Sequence, residues 1–205
     1  MLTDKSVRDL LAAFASPDPT PGGGSASALS AATGASLLMM VAALPKTRSG
    51  SDADRAALAA AAASLTGVQQ QLIEAVDADT AAYDAVVAAY KLPKTNDAEQ
   101  TARKAAIQRA LRGATDVPLG VMRLAASALG HAKTIAAHGH RGAASDVGVA
   151  AALLAAGMRG ARLNVDINLG SVTDRAYVEA VRGESERLGA AASESVRLVE
   201  EALQE

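Results

Sequence analysis

Hydrophobic residues recur every three or four positions along most of the chain, and β-branched and polar residues nowhere alternate as they do in a strand. That spacing is typical of helices that bury one face. Proline and glycine divide the pattern into about six segments, so the sequence predicts an all-α bundle of long helices forming a single domain, 1–205. The predicted helices are 4–15, 25–44, 52–92, 97–138, 145–169 and 171–204.

The second segment is unusual because no charged residue occurs between Asp18 and Lys46. A run of this length reaches the roughly 20 residues of a membrane span. Its first half is mainly Ser, Thr, Gly and Ala, however, and only 37–44 is strongly apolar. We therefore expect a buried helix at the centre of the bundle, with Ser25 as its N-cap, and not a membrane helix.

Two positions further along bear on helix boundaries. Pro118 lies inside the fourth segment, where it removes a backbone hydrogen bond, so we expect the helix to kink or break near 115–116. After a turn at 139–142, Ser145 is predicted as an N-cap with Asp146 in the first helical turn. Taken alone, that pair is ordinary helix-start chemistry.

Composition excludes several classes of protein. With 20 Lys and Arg against 22 Asp and Glu, and only four aromatic residues, the chain lacks the basic, aromatic surface of a nucleic-acid binder. It has no Cys, so disulfides and Cys-ligated metals are impossible. Charged residues at Asp4, Lys5, Arg8 and Asp9 do not fit a signal peptide, and we expect a cytoplasmic protein.

Asp79 is the strongest candidate for chemistry because it falls on the apolar stripe of the long third segment. It lies seven residues after Leu72 and seven before Val86. A carboxylate facing the core must be paired, hydrogen-bonded or protonated, and such acids concentrate in active sites. Asp77 and Asp84 lie off the stripe, and we expect them to be solvated.

The glycine run before the second helix is a second candidate. Residues 21–25 read Pro-Gly-Gly-Gly-Ser, and consecutive glycines at a helix N-terminus can direct backbone N–H groups at a carboxylate or phosphate. The alternative is a tight entry into a buried helix.

Other polar side chains give weaker signals. Asn164 shares a helix face with small residues, which suits either helix packing or ligand contact. His131, His138 and His140 lie close in sequence, but no carboxylate stands beside them at ligand spacing, so we predict no metal site.

Five motifs in order along the chain resemble the formiminotransferase-cyclodeaminase C-terminal family, which includes bacterial methenyltetrahydrofolate cyclohydrolases. The strongest reads PTPGGGSASA, and the resemblance spans nearly the whole chain. The motifs lie at 19–28, 79–84, 114–119, 145–150 and 164–168.

The resemblance implies an all-helical fold, a homodimer or larger homo-oligomer, a tetrahydrofolate substrate, and neither a metal nor a redox cofactor. The short stand-alone chain looks more like the cyclohydrolase branch, which hydrates 5,10-methenyltetrahydrofolate to 10-formyltetrahydrofolate. The alternatives are cyclodeamination of 5-formiminotetrahydrofolate with release of ammonia, or a non-catalytic folate-binding or partner-binding helical module.

The resemblance also implies roles for individual residues. Asp79 and Asp146 would be catalytic, one taking a proton from the attacking water and the other stabilising the cation or returning a proton to nitrogen. Lys46 or Arg48 would attract the glutamate tail of the folate. The predicted substrate-binding residues are Pro21, Gly22, Gly23, Gly24, Ser25, Lys46, Tyr83, Ser145 and Asn164.

Two segments depart from the family pattern. Where a Lys-rich stretch with a Tyr is usual, this chain has Lys-Thr-Arg-Ser-Gly-Ser at 46–51. Where Gly-Asn-x-Asn is usual, it has Gly-His-Arg-Gly at 139–142. These replacements keep a changed substrate or a lost activity open as alternatives.

Overall fold

Six α-helices make up most of residues 1–204, the part of the chain that this computed structural model describes. Short 3-10 turns at Leu2–Asp4 and Arg141–Ala143 complete the regular structure. Residues 1–204 contain no strand, only one isolated bridge between Thr47 and Gly139, so the all-α prediction is confirmed. The helices are α1 (Val7–Phe14), α2 (Gly23–Ala42), α3 (Asp52–Tyr90), α4 (Asp97–His138), α5 (Ala144–Leu169) and α6 (Arg175–Gln204).

Two predicted helix starts are wrong. Ser25 and Ser145 are not N-caps, since α2 begins at Gly23 after Gly22, and α5 begins at Ala144 after Ala143. The hydroxyl of Ser25 is used in a tertiary contact, so this side chain cannot cap its own helix. The first and last helices also start later than predicted, at Val7 and Arg175.

The break that Pro118 suggests near 115–116 does not occur, because α4 continues through that proline as one helix. A proline inside a helix leaves the carbonyl four residues earlier without its usual N–H partner. Here that carbonyl belongs to Ala114, and it accepts a hydrogen bond of 2.8 Å from Nδ2 of Asn168 on α5. A side chain from a neighbouring helix thus replaces the missing backbone donor.

The helix α2 lies inside the bundle, packed against α3, α4 and α5. It runs antiparallel to α5, because Gly23 lies near Asn164 while Gly34 lies near Ala150. The two helices approach so closely that a Cβ on Gly157 would come within 2.7 Å of the Ser27 carbonyl oxygen. By length and composition α2 could cross a membrane, but half of that window is buried in the bundle, as in a core helix.

The core itself is built from aliphatic side chains. α4 packs against α3, α5 and α6. Small residues let the helices pack closely, and large aliphatic ones fill the remaining space without aromatic rings. The largest fully buried side chains include Leu38, Leu65, Leu72, Met122, Leu129, Ile135 and Leu154.

Candidate active site

The carboxylate of Asp79 is held at the N-terminus of α2. Its Oδ2 accepts a hydrogen bond of 2.9 Å from the backbone N–H of Ser25 and lies 3.1 Å from the Ser25 hydroxyl. That hydroxyl is fully buried and also lies within donating distance, 2.8 Å, of the Val76 carbonyl on α3. The positive end of a helix dipole stabilises a negative charge at this position.

Gly24 is required for this arrangement because the carboxylate lies directly against its Cα. A Cβ at Gly24 would be 2.0 Å from Oδ1 and 2.5 Å from Cγ of Asp79. Any side chain here would therefore displace the carboxylate. The anion bound at this helix N-terminus is thus Asp79 itself, which gives the glycine run a role in placing a carboxylate.

A cavity of about 340 Å³ opens beside this carboxylate. It combines one carboxylate, one phenol and two amides with an apolar wall. Asn164 donates its Nδ2 to the Gly160 carbonyl at 2.9 Å, and no donor in residues 1–204 reaches its Oδ1. The cavity is lined by Pro19, Thr20, Gly22, Gly23, Gly24, Asp79, Tyr83, Val86, Leu111, Ala114, Asn164 and Asn168.

Most of the predicted site residues from the first, second and fifth motifs meet at this cavity. Gly22, Gly23, Gly24, Tyr83 and Asn164 line it beside Asp79, Ser25 anchors the carboxylate, and Pro21 follows Thr20 through a cis peptide bond. The sequence prediction missed the apolar wall and Asn168. Because Asn168 comes four residues after Asn164, it falls on the same helix face, and that spacing could have identified it.

The remaining predicted residues lie at the opposite end of the bundle. Lys46 lines a second cavity of about 470 Å³, and Ser145 and Asp146 lie nearby at the start of α5. Asp146 and Asn164 are 18 residues apart on one helix, which separates them by about 27 Å. One copy of the chain therefore does not bring Asp146 to the carboxylate of Asp79.

The second cavity has a basic lining, contributed by two segments that contact each other. Thr47 bridges to Gly139, and the N–H of Arg48 donates to the His138 carbonyl at 2.8 Å. The Arg48 side chain donates to the Ala136 carbonyl at 3.1 Å, while its buried Nε has no partner within residues 1–204. The cavity is lined by Pro45, Lys46, Thr47, Arg48, Ser49, Gly50, His140 and Arg141.

Asp54 fixes this basic end in place. It is buried and accepts hydrogen bonds from His138 Nδ1 at 2.8 Å and from the Ser49 N–H and hydroxyl, both at 2.7 Å. The hydrogen bond with His138, followed by those from Ser49, holds the pKa of Asp54 well below its usual range. Sequence reasoning missed Asp54 because it looks like a helix-start acid in the first turn of α3.

Asp77 is not solvated as expected. It is half-buried and accepts hydrogen bonds from the Leu2 N–H at 2.5 Å and the Thr3 hydroxyl at 2.9 Å, which ties the N-terminal turn to α3. Burial raises its pKa, but the hydrogen bonds from Leu2 and Thr3, together with the positive charge of the N-terminus, outweigh burial and the pKa is lowered. Asp84 is exposed, as expected. Within residues 1–204, no three His, Asp or Glu side chains form a metal-binding group.

Comparison with known proteins points to one family. The sequence model described as formiminotransferase-cyclodeaminase matches residues 6–187. A methenyltetrahydrofolate cyclohydrolase of Methylorubrum extorquens is 39% identical over 179 residues, which cover 87% of this chain and 86% of that protein. A formimidoyltransferase-cyclodeaminase of Sus scrofa is 34% identical over 181 residues, but this chain matches only 34% of its length.

A solved structure has the same fold. The crystal structure of formiminotetrahydrofolate cyclodeaminase from Thermotoga maritima superposes with a TM-score of 0.88 over 100% of this chain and 98% of the other. The two sequences are 24% identical. The two proteins therefore share the same all-helical fold over nearly their whole length.

Proposed function

The chain belongs to the formiminotransferase-cyclodeaminase family, and we propose that it is a methenyltetrahydrofolate cyclohydrolase. The reaction adds water to 5,10-methenyltetrahydrofolate and gives 10-formyltetrahydrofolate. The observation that carries this proposal is the Asp79 carboxylate, fixed by Ser25 in a cavity with amide and phenol groups. Support also comes from the Methylorubrum relative, which matches over most of both chains.

The reaction needs a carboxylate for two reasons. The one-carbon unit bridges N5 and N10 as a cation, and a nearby negative charge stabilises it. Water then attacks the carbon and must lose a proton, which a carboxylate accepts. The resulting tetrahedral carbon keeps its bond to N10 and breaks its bond to N5. One proton of the water ends on N5 and the other is released, so the charge balances.

We assign these tasks to the residues of the cavity. Asp79 attracts the cation and takes the proton, while the amides of Asn164 and Asn168 and the phenol of Tyr83 orient the folate. The apolar wall, which includes Val86 and Leu111, covers its flat ring system.

The basic end suits the glutamate tail of a folate. Lys46 lines a cavity that also contains Arg48, and two cationic side chains attract the carboxylates of such a tail. Within one copy this cavity lies at the opposite end of the bundle from Asp79, so the tail of a folate bound at Asp79 would meet it on another copy of the oligomer that we propose below. The proposal predicts that Lys46→Ala raises KM more than it lowers kcat, and that the effect grows with the number of glutamates on the substrate.

We further propose that the protein needs no metal or redox cofactor, because hydration moves only water and protons. Its near-neutral charge and its small number of aromatic residues, three Tyr and one Phe, argue against a nucleic-acid partner. We propose a cytoplasmic location, and the half-buried state of α2 argues against a membrane partner. We propose that it acts as a homodimer or larger homo-oligomer.

A second candidate is cyclodeamination of 5-formiminotetrahydrofolate. It is favoured by the Sus scrofa relative, whose name includes that activity. The same carboxylate could serve, because this reaction also passes through a tetrahedral carbon between two nitrogens. Release of ammonia from the formimino substrate separates the two activities.

The first test is loss of the methenyl chromophore on adding purified protein, compared with the spontaneous rate. We expect acceleration, and we expect Asp79→Asn to lower kcat/KM by about 10²- to 10⁴-fold. Asp84→Asn is the matched control, since it removes the same charge from an exposed position five residues further along α3. No acceleration by folded protein, or an Asp79→Asn variant as active as Asp84→Asn, would refute the proposed function.

A further inference from the structure

Two asparagines on α5 hold their amides in the same way. Asn164 Nδ2 donates to the Gly160 carbonyl at 2.9 Å, and Asn168 Nδ2 donates to the Ala114 carbonyl at 2.8 Å. A carbonyl oxygen can only accept, so these contacts fix which end of each amide is the nitrogen. Each Oδ1 is left without a donor in residues 1–204, and neither oxygen is buried. The α5 side of the Asp79 cavity therefore presents two free acceptors.

Pro118 is responsible for the second of these orientations. Because proline has no N–H, the Ala114 carbonyl lacks its usual partner four residues further along α4. That carbonyl is the group that holds Asn168 Nδ2. Pro118 does not line the cavity, but it acts on the cavity through the amide of Asn168.

The spacing of the two amides restricts which ligand edge can satisfy both. Asn164 and Asn168 are one helical turn apart, with about 5–6 Å between their Cβ atoms. A matching ligand needs two donors on one edge at a similar separation. A tetrahydropterin, the ring system of the proposed folate substrate, has such an edge, because its 2-amino group and its N8–H lie on either side of N1.

The helix that carries Asp79 lies across the cavity from this pair of amides. α3 and α5 each pack against both α2 and α4, so they are diagonal neighbours in the bundle. α3 contributes Asp79 and Tyr83 to the cavity, and α5 contributes Asn164 and Asn168. N5 lies directly across the ring from N8. A ring whose N8 edge meets α5 therefore turns N5, and the one-carbon unit bound to it, toward Asp79.

We propose that Asn164 accepts a hydrogen bond from the 2-amino group of the pteridine ring, that Asn168 accepts one from N8–H, and that Pro118 positions Asn168 for this contact. The proposal deepens the proposed function and rests on it for the identity of the ligand. Pro118 is a positioning residue, because it touches the ligand only through Asn168.

The order of the two contacts follows from the depth of each amide. Asn164 lies level with Gly23, the first residue of α2, since a Cβ on Gly23 would be 3.5 Å from its Nδ2. Asn168 lies one turn beyond that end of α2, and so nearer the mouth of the cavity. The chain that leads to the glutamate leaves a folate from the ring end opposite the 2-amino group. The 2-amino end therefore enters first and reaches Asn164.

Asp79 is less suited to reading the ring. The 2-amino group and N3–H are adjacent donors, and a carboxylate binds such a pair with both of its oxygens. Oδ2 of Asp79 already accepts from the Ser25 N–H at 2.9 Å, which leaves only Oδ1. Asp79 is thus free to act on the one-carbon unit while the amides hold the ring.

Binding of altered ligands tests the two contacts without relying on turnover. The probe is 5-formyltetrahydrofolate, which keeps the 2-amino group and N8–H, and it is compared with two analogues. One has a methyl group in place of the 2-amino group, and the other has CH₂ in place of N8–H. Calorimetric titration of wild-type protein should show each analogue binding about 2- to 10-fold more weakly than the probe, the usual effect of one hydrogen bond.

The variants then assign each contact. Asn164→Ala should abolish the penalty for the 2-methyl analogue and keep the penalty for the CH₂ analogue, and Asn168→Ala should do the reverse. Pro118→Ala restores a backbone N–H for Ala114 and should reduce only the CH₂ penalty. Val117→Ala is the matched control, since it alters the adjacent residue of α4 without changing any backbone N–H, and it should keep both penalties. A purely structural role for Pro118 would instead weaken all three ligands equally.

The outcomes separate this inference from the proposed function. Wild-type protein that binds all three ligands equally, or penalties that persist in both asparagine variants, would overturn the ring contacts. An exchanged pattern would overturn the order, and unchanged penalties in Pro118→Ala would overturn its positioning role. If Asp79→Asn alone abolishes the 2-methyl penalty, Asp79 reads the ring and the proposal is wrong. Wild-type protein that shows the expected pattern but does not accelerate loss of the methenyl chromophore would refute only the proposed function, whereas failure of folded protein to bind the probe would refute both.

Discussion

Replacing Gly24 by Ala tests whether the first turn of α2 fixes the carboxylate of Asp79. The new Cβ would lie 2.0 Å from Oδ1, whereas non-bonded contacts settle at about 3.5 Å. The carboxylate must therefore move by on the order of 1 Å. Its hydrogen bond with the Ser25 N–H is already 2.9 Å long, so that movement takes the pair beyond the usual limit of about 3.2 Å.

The expected cost is large for activity and modest for stability. Misplacing a catalytic group by about 1 Å can cost about 10²-fold in rate, and we expect a loss of that order in kcat/KM. Overpacking costs about 1–3 kcal/mol, while replacing glycine by alanine inside a helix returns up to about 1 kcal/mol. The net loss in the free energy of unfolding should therefore be no more than about 3 kcal/mol.

Two controls make the result interpretable. Gly113→Ala adds the same methyl group inside α4, where no atom lies within 4 Å of the new Cβ, and it should leave activity unchanged. In an Asp79→Ala background the clashing atoms are absent, so Gly24→Ala should no longer destabilise the protein. Urea unfolding and the chromophore assay measure both effects. If Gly24→Ala behaves like Gly113→Ala in activity and stability, the placement argument is wrong.

Two further predictions concern stability. The pKa of Asp54 is lowered in the folded state, chiefly by its hydrogen bond with His138. The ionised carboxylate therefore adds to the free energy of unfolding above its ordinary pKa of about 4, and this stabilisation is lost as the pH falls below that value. Urea titrations from pH 6 to pH 3 should show the free energy of unfolding falling more steeply for wild type than for Asp54→Asn, and equal slopes would contradict the assignment. Asn168→Ala should lower the free energy of unfolding by about 1 kcal/mol, because the Ala114 carbonyl loses its hydrogen-bond donor. The same change should cost less in a Pro118→Ala background, where a backbone N–H is restored, and an equal cost in both backgrounds would show that Asn168 does not replace that donor.

The sequence pattern predicted correctly those features that depend on a single helix, such as where a helix lies and which face it buries. The apolar period placed the main helices, with α4 predicted at the bounds the structure gives it, and the absence of charge placed α2 in the interior. It failed where a side chain acts between helices. Ser25 has the residue type of an N-cap, but its hydroxyl contacts the Val76 carbonyl of α3. At Pro118, where a kink or break was expected, α4 continues, and Asn168 from α5 donates to the carbonyl that the proline leaves without its usual partner.

The candidate site shows the same difference between features set within one helix and contacts made between helices. The position of Asp79 on an apolar stripe was readable from sequence, because it depends only on the helical period. The contact between its carboxylate and Gly24 was not, because it depends on how closely α2 and α3 pack. Asp54 was missed for a similar reason, since its partner His138 is 84 residues away. Spacing along a chain carries no record of contacts at that separation.

The two segments that depart from the family pattern, 46–51 and 139–142, contact each other, and this indicates which part of the proposed activity the departures affect. They touch through the bridge between Thr47 and Gly139, and the Asp54–His138 pair holds them together at the basic end. A change in one segment therefore alters the surroundings of the other, and both line one cavity. The cavity at Asp79 uses residues from neither segment. The departures consequently affect the part of the protein that we assign to the glutamate tail, so a shift in KM with tail length fits them better than loss of the carboxylate chemistry.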